Sequence, residues 1–179
     1  MKIRKANTFM DWIRIYNLYM EAFPANERKP ILMIRRMFKN GKADVWVLND
    51  PADKFVGLAI TLNGKDIVLL DYFAIDKKRR SGGWGSKALE QLQKIYSDRR
   101  LILEIERCDL PSENQKERIR RKAFYLRNDM QELGIPVNLF GVEMELLAYD
   151  CKVTFEEYKG IYVDAIGELA RRNVNYGKC

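Results

Sequence analysis

Apolar residues recur along this chain at two periods, and the switches between them mark out its elements. Residues 2–5 read as a short opening strand. Thr8 then caps a helical pattern carrying Phe9, Trp12, Ile13, Tyr16, Tyr19 and Phe23, and Pro24 ends it. A second short helix is predicted from Pro30, where proline suits a first turn. Ile31, Ile34 and Met37 share one face of it, and Gly41 closes it. Three strands follow, at 44–49, 55–62 and 67–75. Asn49-Asp50-Pro51-Ala52-Asp53 makes the first turn between them, and Asn63-Gly64 is a hairpin signal before the third. Trp84, Ala88, Leu89, Leu92 and Tyr96 then form a helical stripe.

The pattern continues with a strand at 101–106. Ser112 and Gln115 resemble a capping box for a long basic helix whose apolar positions are Ile119, Ala123, Leu126, Met130 and Leu133; Gly134-Ile135-Pro136 stops it. Two closing strands are predicted at 137–140 and 143–149. Thr154 and Glu157 cap a last helix with Tyr158, Tyr162, Ala165 and Leu169 as its stripe. The order is β-α-α-β-β-β-α-β-α-β-β-α, an α/β class in which a mixed sheet with helices on both faces buries these elements. The expectation is a single domain over 1–179, a core at 1–150 with a helical addition at 151–179.

Composition narrows the chemistry. Apolar residues make up 47% of the 179, so a packed core is expected. No apolar run approaches the roughly 20 residues of a membrane span, and no membrane partner is expected. Cys108, Cys151 and Cys179 are far apart and odd in number, which reads as reduced thiols and a cytoplasmic protein. Histidine is absent, which excludes Ser-His-Asp and Cys-His catalysis and any histidine-ligated metal; no metal is expected. Acid–base work falls to carboxylates, Tyr, Lys, Cys or water. The net charge of +7 attracts polyanions without choosing among them.

One stretch does choose. Arg80-Ser81-Gly82-Gly83-Trp84-Gly85 lies between the apolar strand 67–75 and a helix start. The first N–H groups of a helix have no partner inside it, and the helix dipole adds positive potential there. Glycines let the main chain approach a phosphate, and Lys77, Lys78, Arg79 and Arg80 add full charges. The run lacks the Lys-Ser/Thr pair of a P-loop and the G-x-G-x-x-G spacing of a dinucleotide site.

Arg80-x-x-Gly83-x-Gly85 resembles the R/Q-x-x-G-x-G/A signature of the GNAT superfamily of N-acetyltransferases, and the element order up to about Tyr149 is similar to the mostly antiparallel GNAT fold. The resemblance implies acetyl-CoA as cosubstrate and direct attack by a primary amine in a ternary complex. It implies main-chain contacts to the thioester and pantetheine from Phe73, Ala74 and Ile75. Gly83, Gly85 and Ser86 would take the pyrophosphate with Arg80 nearby, and Trp84 would pack. Phe124-Tyr125 resembles the family's F-Y-x-x-x-G-F helix, making Tyr125 the candidate acid, although Asp129 and Met130 stand where Gly and Phe are expected.

Base candidates are Glu104, Asp71 and Glu106. Strand alternation puts Glu104 and Glu106 on one face, where they either line a cleft or pair with basic side chains of a neighbouring helix. Glu27 borders the acceptor region by resemblance and could bind a cation. Lys116, Arg118, Arg120, Arg121, Lys122 and Arg127 form a basic run, read as a solvated face, a contact for the cofactor's 3′-phosphate or a phosphate-backbone grip. The expected acceptor is a small-molecule amine, and a second copy of the chain is a candidate partner, as a homodimer. The rivals are a basic nucleic-acid-binding or regulatory domain and an acyl-CoA sensor without turnover.

Overall fold

The computed structural model describes residues 1–25 and 27–178; Asn26 and the thiol expected at Cys179 lie outside them. Among the described residues the elements are β1 (Lys2–Lys5), α1 (Phe9–Ala22), α2 (Ile31–Lys39), β2 (Ala43–Asn49), β3 (Phe55–Asn63), β4 (Ile67–Ile75), α3 (Trp84–Ile95) and β5 (Arg100–Glu106). Then come α4 (Gln115–Leu126), β6 (Met130–Leu139), β7 (Val142–Tyr149), α5 (Phe155–Ile166), α6 (Glu168–Asn173) and β8 (Val174–Tyr176). The chain forms two compact units: 1–63 with 70–95, and 64–69 with 96 onward. The division falls inside β4.

In the first unit the strands lie in the order β1-β2-β3-β4, with β1–β2 and β2–β3 antiparallel. β2 and β3 are buried on both faces, which their Val, Leu, Ile and Ala content permits. Asp44, the charge inside β2, pairs with Lys5 at 2.5 Å. α1 packs on β3 and α2 on β2. Thr8 caps α1 as expected: its hydroxyl accepts the Asp11 N–H at 3.1 Å, and Asp11 reciprocates from the Thr8 N–H at 3.0 Å. Gly57 in β3 runs so close to β4 that a Cβ would collide with the Ala74 carbonyl oxygen. Only glycine fits there.

In the second unit the order is β5-β7-β6-β8, antiparallel at β5–β7, β6–β7 and β6–β8. Three expectations fail here. The basic helix stops at Leu126, and Met130 begins a strand, because Asp129 adopts φ +64° and turns the chain. The Ser112 capping box does not form: Asn114 is the N-cap, and the Ser112 hydroxyl instead donates to the Gln115 side chain at 3.1 Å. The final helix breaks at Gly167 (φ +63°) into α5 and α6, and the chain ends in β8 beside β6. The addition is therefore a helix pair and an edge strand. Its α5 buries Tyr158, Ile161 and Tyr162.

Candidate functional site

The basic turn after β4 is built by local hydrogen bonds. Asp76 accepts the Lys78 N–H at 2.8 Å, and Arg79 N–H closes on the Asp76 carbonyl at 2.8 Å, giving a short turn over Lys77–Arg79. The chain then reverses through Ser81 (φ +68°) and Gly83 (φ +71°). Gly83 adopts that conformation without the strain a Cβ would add. The first backbone bond into α3 runs from Lys87 N–H to the Gly83 carbonyl at 3.1 Å. The amides of Trp84, Gly85 and Ser86 lie ahead of it and have no acceptor in the helix. Gly82, Gly83 and Ser86 are exposed, and the first turn of α3 carries no acid.

The four cations of the turn are not equivalent. Arg80 donates through Nε to the Ile75 carbonyl at 3.1 Å, tying the turn to the end of β4. Lys77 pairs with Glu21 at 3.2 Å and Arg79 with Asp50 at 3.7 Å. Trp84 is half-buried, its indole close over Gly82 and Lys87 over its ring at 5.1 Å. Phe73 and Ile75 are half-exposed on β4, while Ala74 between them is buried.

Asp71, on the same strand, is fully engaged. Both its oxygens accept from the Lys29 ammonium, at 2.7 and 2.9 Å, and the ion pair is nearly buried. The neighbouring Tyr72 hydroxyl accepts the Lys29 N–H at 3.0 Å and donates to the Glu27 carbonyl at 2.7 Å. Tyr19 donates to the Lys29 carbonyl at 3.1 Å. Burial pushes the Tyr19 phenol up to about 12, and burial together with the Asp71 charge pushes Tyr72 up further, so both remain neutral donors. Together they fasten the α1–α2 connection, Glu27 included, to β4. Lys29 and Tyr72 were not singled out in the sequence. Their partners lie 42 and 45 residues away, beyond any local pattern.

Glu104 and Tyr125 belong to the second unit. Glu104 accepts from two fully buried tyrosines of α5: Tyr158 at one oxygen and Tyr162, at 2.5 Å, at the other. Glu106 is buried against Arg118 at 2.5 Å and Arg121 at 3.1 Å, so the ion-pair reading holds for it. Lys122 bridges Glu132 and Glu145 at 3.1 and 2.8 Å, leaving Lys116, Arg120 and Arg127 as the outward part of the basic run. Tyr125 is buried against Phe124, and desolvation raises its phenol to about 12. Asp129 takes the left-handed conformation that a glycine of the F-Y-x-x-x-G-F pattern would supply, and Met130 is buried after it. The departure at these two positions is thus chemical, not conformational. Among the described residues, no three metal-ligating side chains converge.

No family model matches the chain, and no curated protein matches it in sequence. Solved structures do match in fold. A Bacteroides thetaiotaomicron protein described as an acetyltransferase of the GNAT family superposes with a TM-score of 0.76 at 21% identity, covering 93% of this chain and 97% of that one. An aminoglycoside 6′-N-acetyltransferase complexed with coenzyme A gives 0.64 at 16%, covering 83% and 96%. A Vibrio cholerae spermidine N-acetyltransferase, in complex with CoA and spermine, gives 0.60 at 13%, covering 82% and 93%. The chain has the GNAT fold.

Proposed function

We propose that this protein is an N-acetyltransferase that transfers the acetyl group of acetyl-CoA to a primary amine by direct attack in a ternary complex. The observation that carries the reading is the Arg80–Ser86 turn. It is a glycine-shaped helix start, exposed at Gly82, Gly83 and Ser86, whose first amides have no acceptor in the helix and whose first turn has no acid, after β4 in a GNAT fold. Gly83, Gly85 and Ser86 would hold the pyrophosphate with their N–H groups, and Arg80 keeps the turn in register from the Ile75 carbonyl. Phe73, Ala74 and Ile75 would line the thioester and pantetheine arm.

Tyr125 is assigned as the acid for the leaving sulfur on the likeness of Phe124-Tyr125 to the family's F-Y helix; burial keeps its phenol protonated while making it a weaker acid than a free tyrosine. Glu104 is assigned as the base. The Tyr158 and Tyr162 hydroxyls each donate to one of its oxygens, whereas both oxygens of Asp71 accept from the Lys29 ammonium, which favours a fastening role for Asp71. The acceptor is proposed to be a small cationic amine. Two solved structures of the same fold are named for aminoglycoside and spermidine acetylation, and Glu27 sits on the fastened α1–α2 connection.

A thiol-release assay across a panel of amines tests the reading, with turnover expected on at least one polyamine-like acceptor. Tyr125→Phe is expected to lower kcat roughly a hundredfold. A fully retained kcat would make Tyr125 a packing residue. Glu104→Gln is expected to remove the acidic limb of the pH–rate profile; an unchanged profile moves the base to Glu106, Asp71 or water.

A further inference from the structure

α1 is apolar on two sides. Its inner side buries Ile15, Leu18 and Tyr19, while Phe9, Ile13, Tyr16 and Met20 recur at helical spacing on the outer side with Met10 beside them. Phe9 is 81% exposed, and the other four stand 37–51% exposed. α2 continues the same surface. Trp12 meets Phe38 edge-on at 5.6 Å and Arg35 lies over the Trp12 ring at 5.3 Å, so the helices are side by side, each with its inner face on the sheet. The outer side of α2 presents Leu32, 74% exposed, among Arg35, Arg36 and Lys39.

The unpaired charge on this face has one sign. Of the acids in α1, Asp11 is buried against Arg4, and Glu21 pairs with Lys77. α2 contains no acid. Arg14, Arg36 and Lys39 have no carboxylate partner among the described residues. Two large side chains standing this far into water, with partly exposed apolar neighbours, exceed the scattered singles that need no explanation. Whatever covers them must be apolar in depth and anionic at its rim. A second copy fails the second condition, because it brings the same unpaired cations to the shared interface. An anionic bilayer meets both: apolar side chains enter the headgroup–acyl boundary while Lys and Arg remain among the phosphates, and Tyr and Trp suit the interface itself.

We propose that the outer face of α1 and α2 docks on anionic membrane surfaces, with Phe9, Ile13 and Leu32 as the inserted side chains and Arg35, Arg36 and Lys39 as the phosphate contacts. No helix among the described residues is long and apolar enough to cross a membrane, so this is a surface attachment.

Co-sedimentation of the full chain with vesicles tests the proposal. Vesicles of phosphatidylcholine alone are compared with vesicles containing phosphatidylglycerol, at low and high salt, alongside sedimentation equilibrium without lipid. Binding is expected to the anionic vesicles only and to weaken with salt. Both Phe9→Ser/Ile13→Ser and Arg35→Glu/Arg36→Glu are expected to reduce it roughly tenfold or more. Circular dichroism and an acetyl-CoA titration of each variant verify that folding is intact, and Leu32→Ser provides a second apolar deletion should the double variant not fold. Absence of binding to anionic vesicles at low salt would overturn the proposal. So would undiminished binding by folded apolar variants, which would reduce the effect to charge alone. A concentration-dependent dimer dissolved by Leu32→Ser would replace the bilayer with a second copy.

Discussion

The N-termini of α1 and α5 contrast with that of α3. α1 and α5 are closed by their own side chains: Thr8 with Asp11 and Thr154 with Glu157 form reciprocal capping boxes, each with a carboxylate over the first turn. Each carboxylate is reinforced by an arginine, Arg4 on Asp11 at 2.7 Å and Arg100 on Glu157 at 2.7 Å. α3 begins on Gly83 with no acid in its first turn, and among the described residues no side chain takes the amides of Trp84, Gly85 and Ser86. The same dipole and the same orphan donors exist at all three ends. Where the chain supplies its own anion the end is structural. Where it supplies glycines and an exposed surface, the end is left open, and under the proposed function an outside anion fills it.

The contrast can be broken by changing which end is filled. Gly83→Asp places a side chain at φ +71° and a negative charge beside the amides. Strain and lost charge-assisted hydrogen bonds together are expected to weaken acetyl-CoA binding on the order of a thousandfold by calorimetric titration. Ser86→Glu copies into α3 the acid that α1 and α5 carry at the third helical position. It should lower acetyl-CoA affinity roughly tenfold to a hundredfold while leaving Tm unchanged or slightly higher. Thr154→Ala removes a filled cap and is expected to cost about 1 kcal/mol in denaturant unfolding, with acetyl-CoA affinity unaffected.

The smallest effect is in acid. Hydrogen bonds from Arg100 and then from the Thr154 N–H hold Glu157 down from 4.5 to about 2, and Arg4 holds Asp11 well below the usual carboxylate range. Depressed folded-state values mean that this stabilisation is present above about 4.5 and fades as pH falls toward about 2. Unfolding midpoints followed over that window should drop less steeply for Glu157→Gln than for the unaltered chain. Equal slopes would remove the cap from the account.

The first unit was the more legible in sequence. β4 was bounded correctly because Asn63-Gly64 precedes it and a charged glycine turn follows, both strong local signals. The Thr8 and Thr154 caps were readable for the same reason: a capping box needs only four consecutive residues. In the second unit, Met130 and Leu133 continued the helical spacing of Ile119, Ala123 and Leu126, and periodicity alone could not stop the helix. Asn128-Asp129, residues that tolerate the left-handed region, carried the weaker opposing signal. β8, at three residues, has no period to read.

The site divides along the same line. The glycine turn is written in consecutive residues, whereas Glu104 meets Tyr158 and Tyr162 across 54 and 58 positions. Those tyrosines read as an apolar stripe because their rings do pack, Tyr158 against Tyr162 at 5.5 Å. Their hydroxyls found a carboxylate that no spacing rule predicts. Lys29 and Asp71 are hidden in the same way.

The central claim is that α3 leaves its N-terminus open for an external anion. Isothermal titration of acetyl-CoA into the unaltered protein and into Ser86→Glu tests it most directly. The expected result is one-to-one binding by the first and a loss of at least about tenfold in the second, with both proteins equally folded. Binding that is absent in the unaltered protein, or unchanged by an acid placed in the first turn of α3, would contradict it.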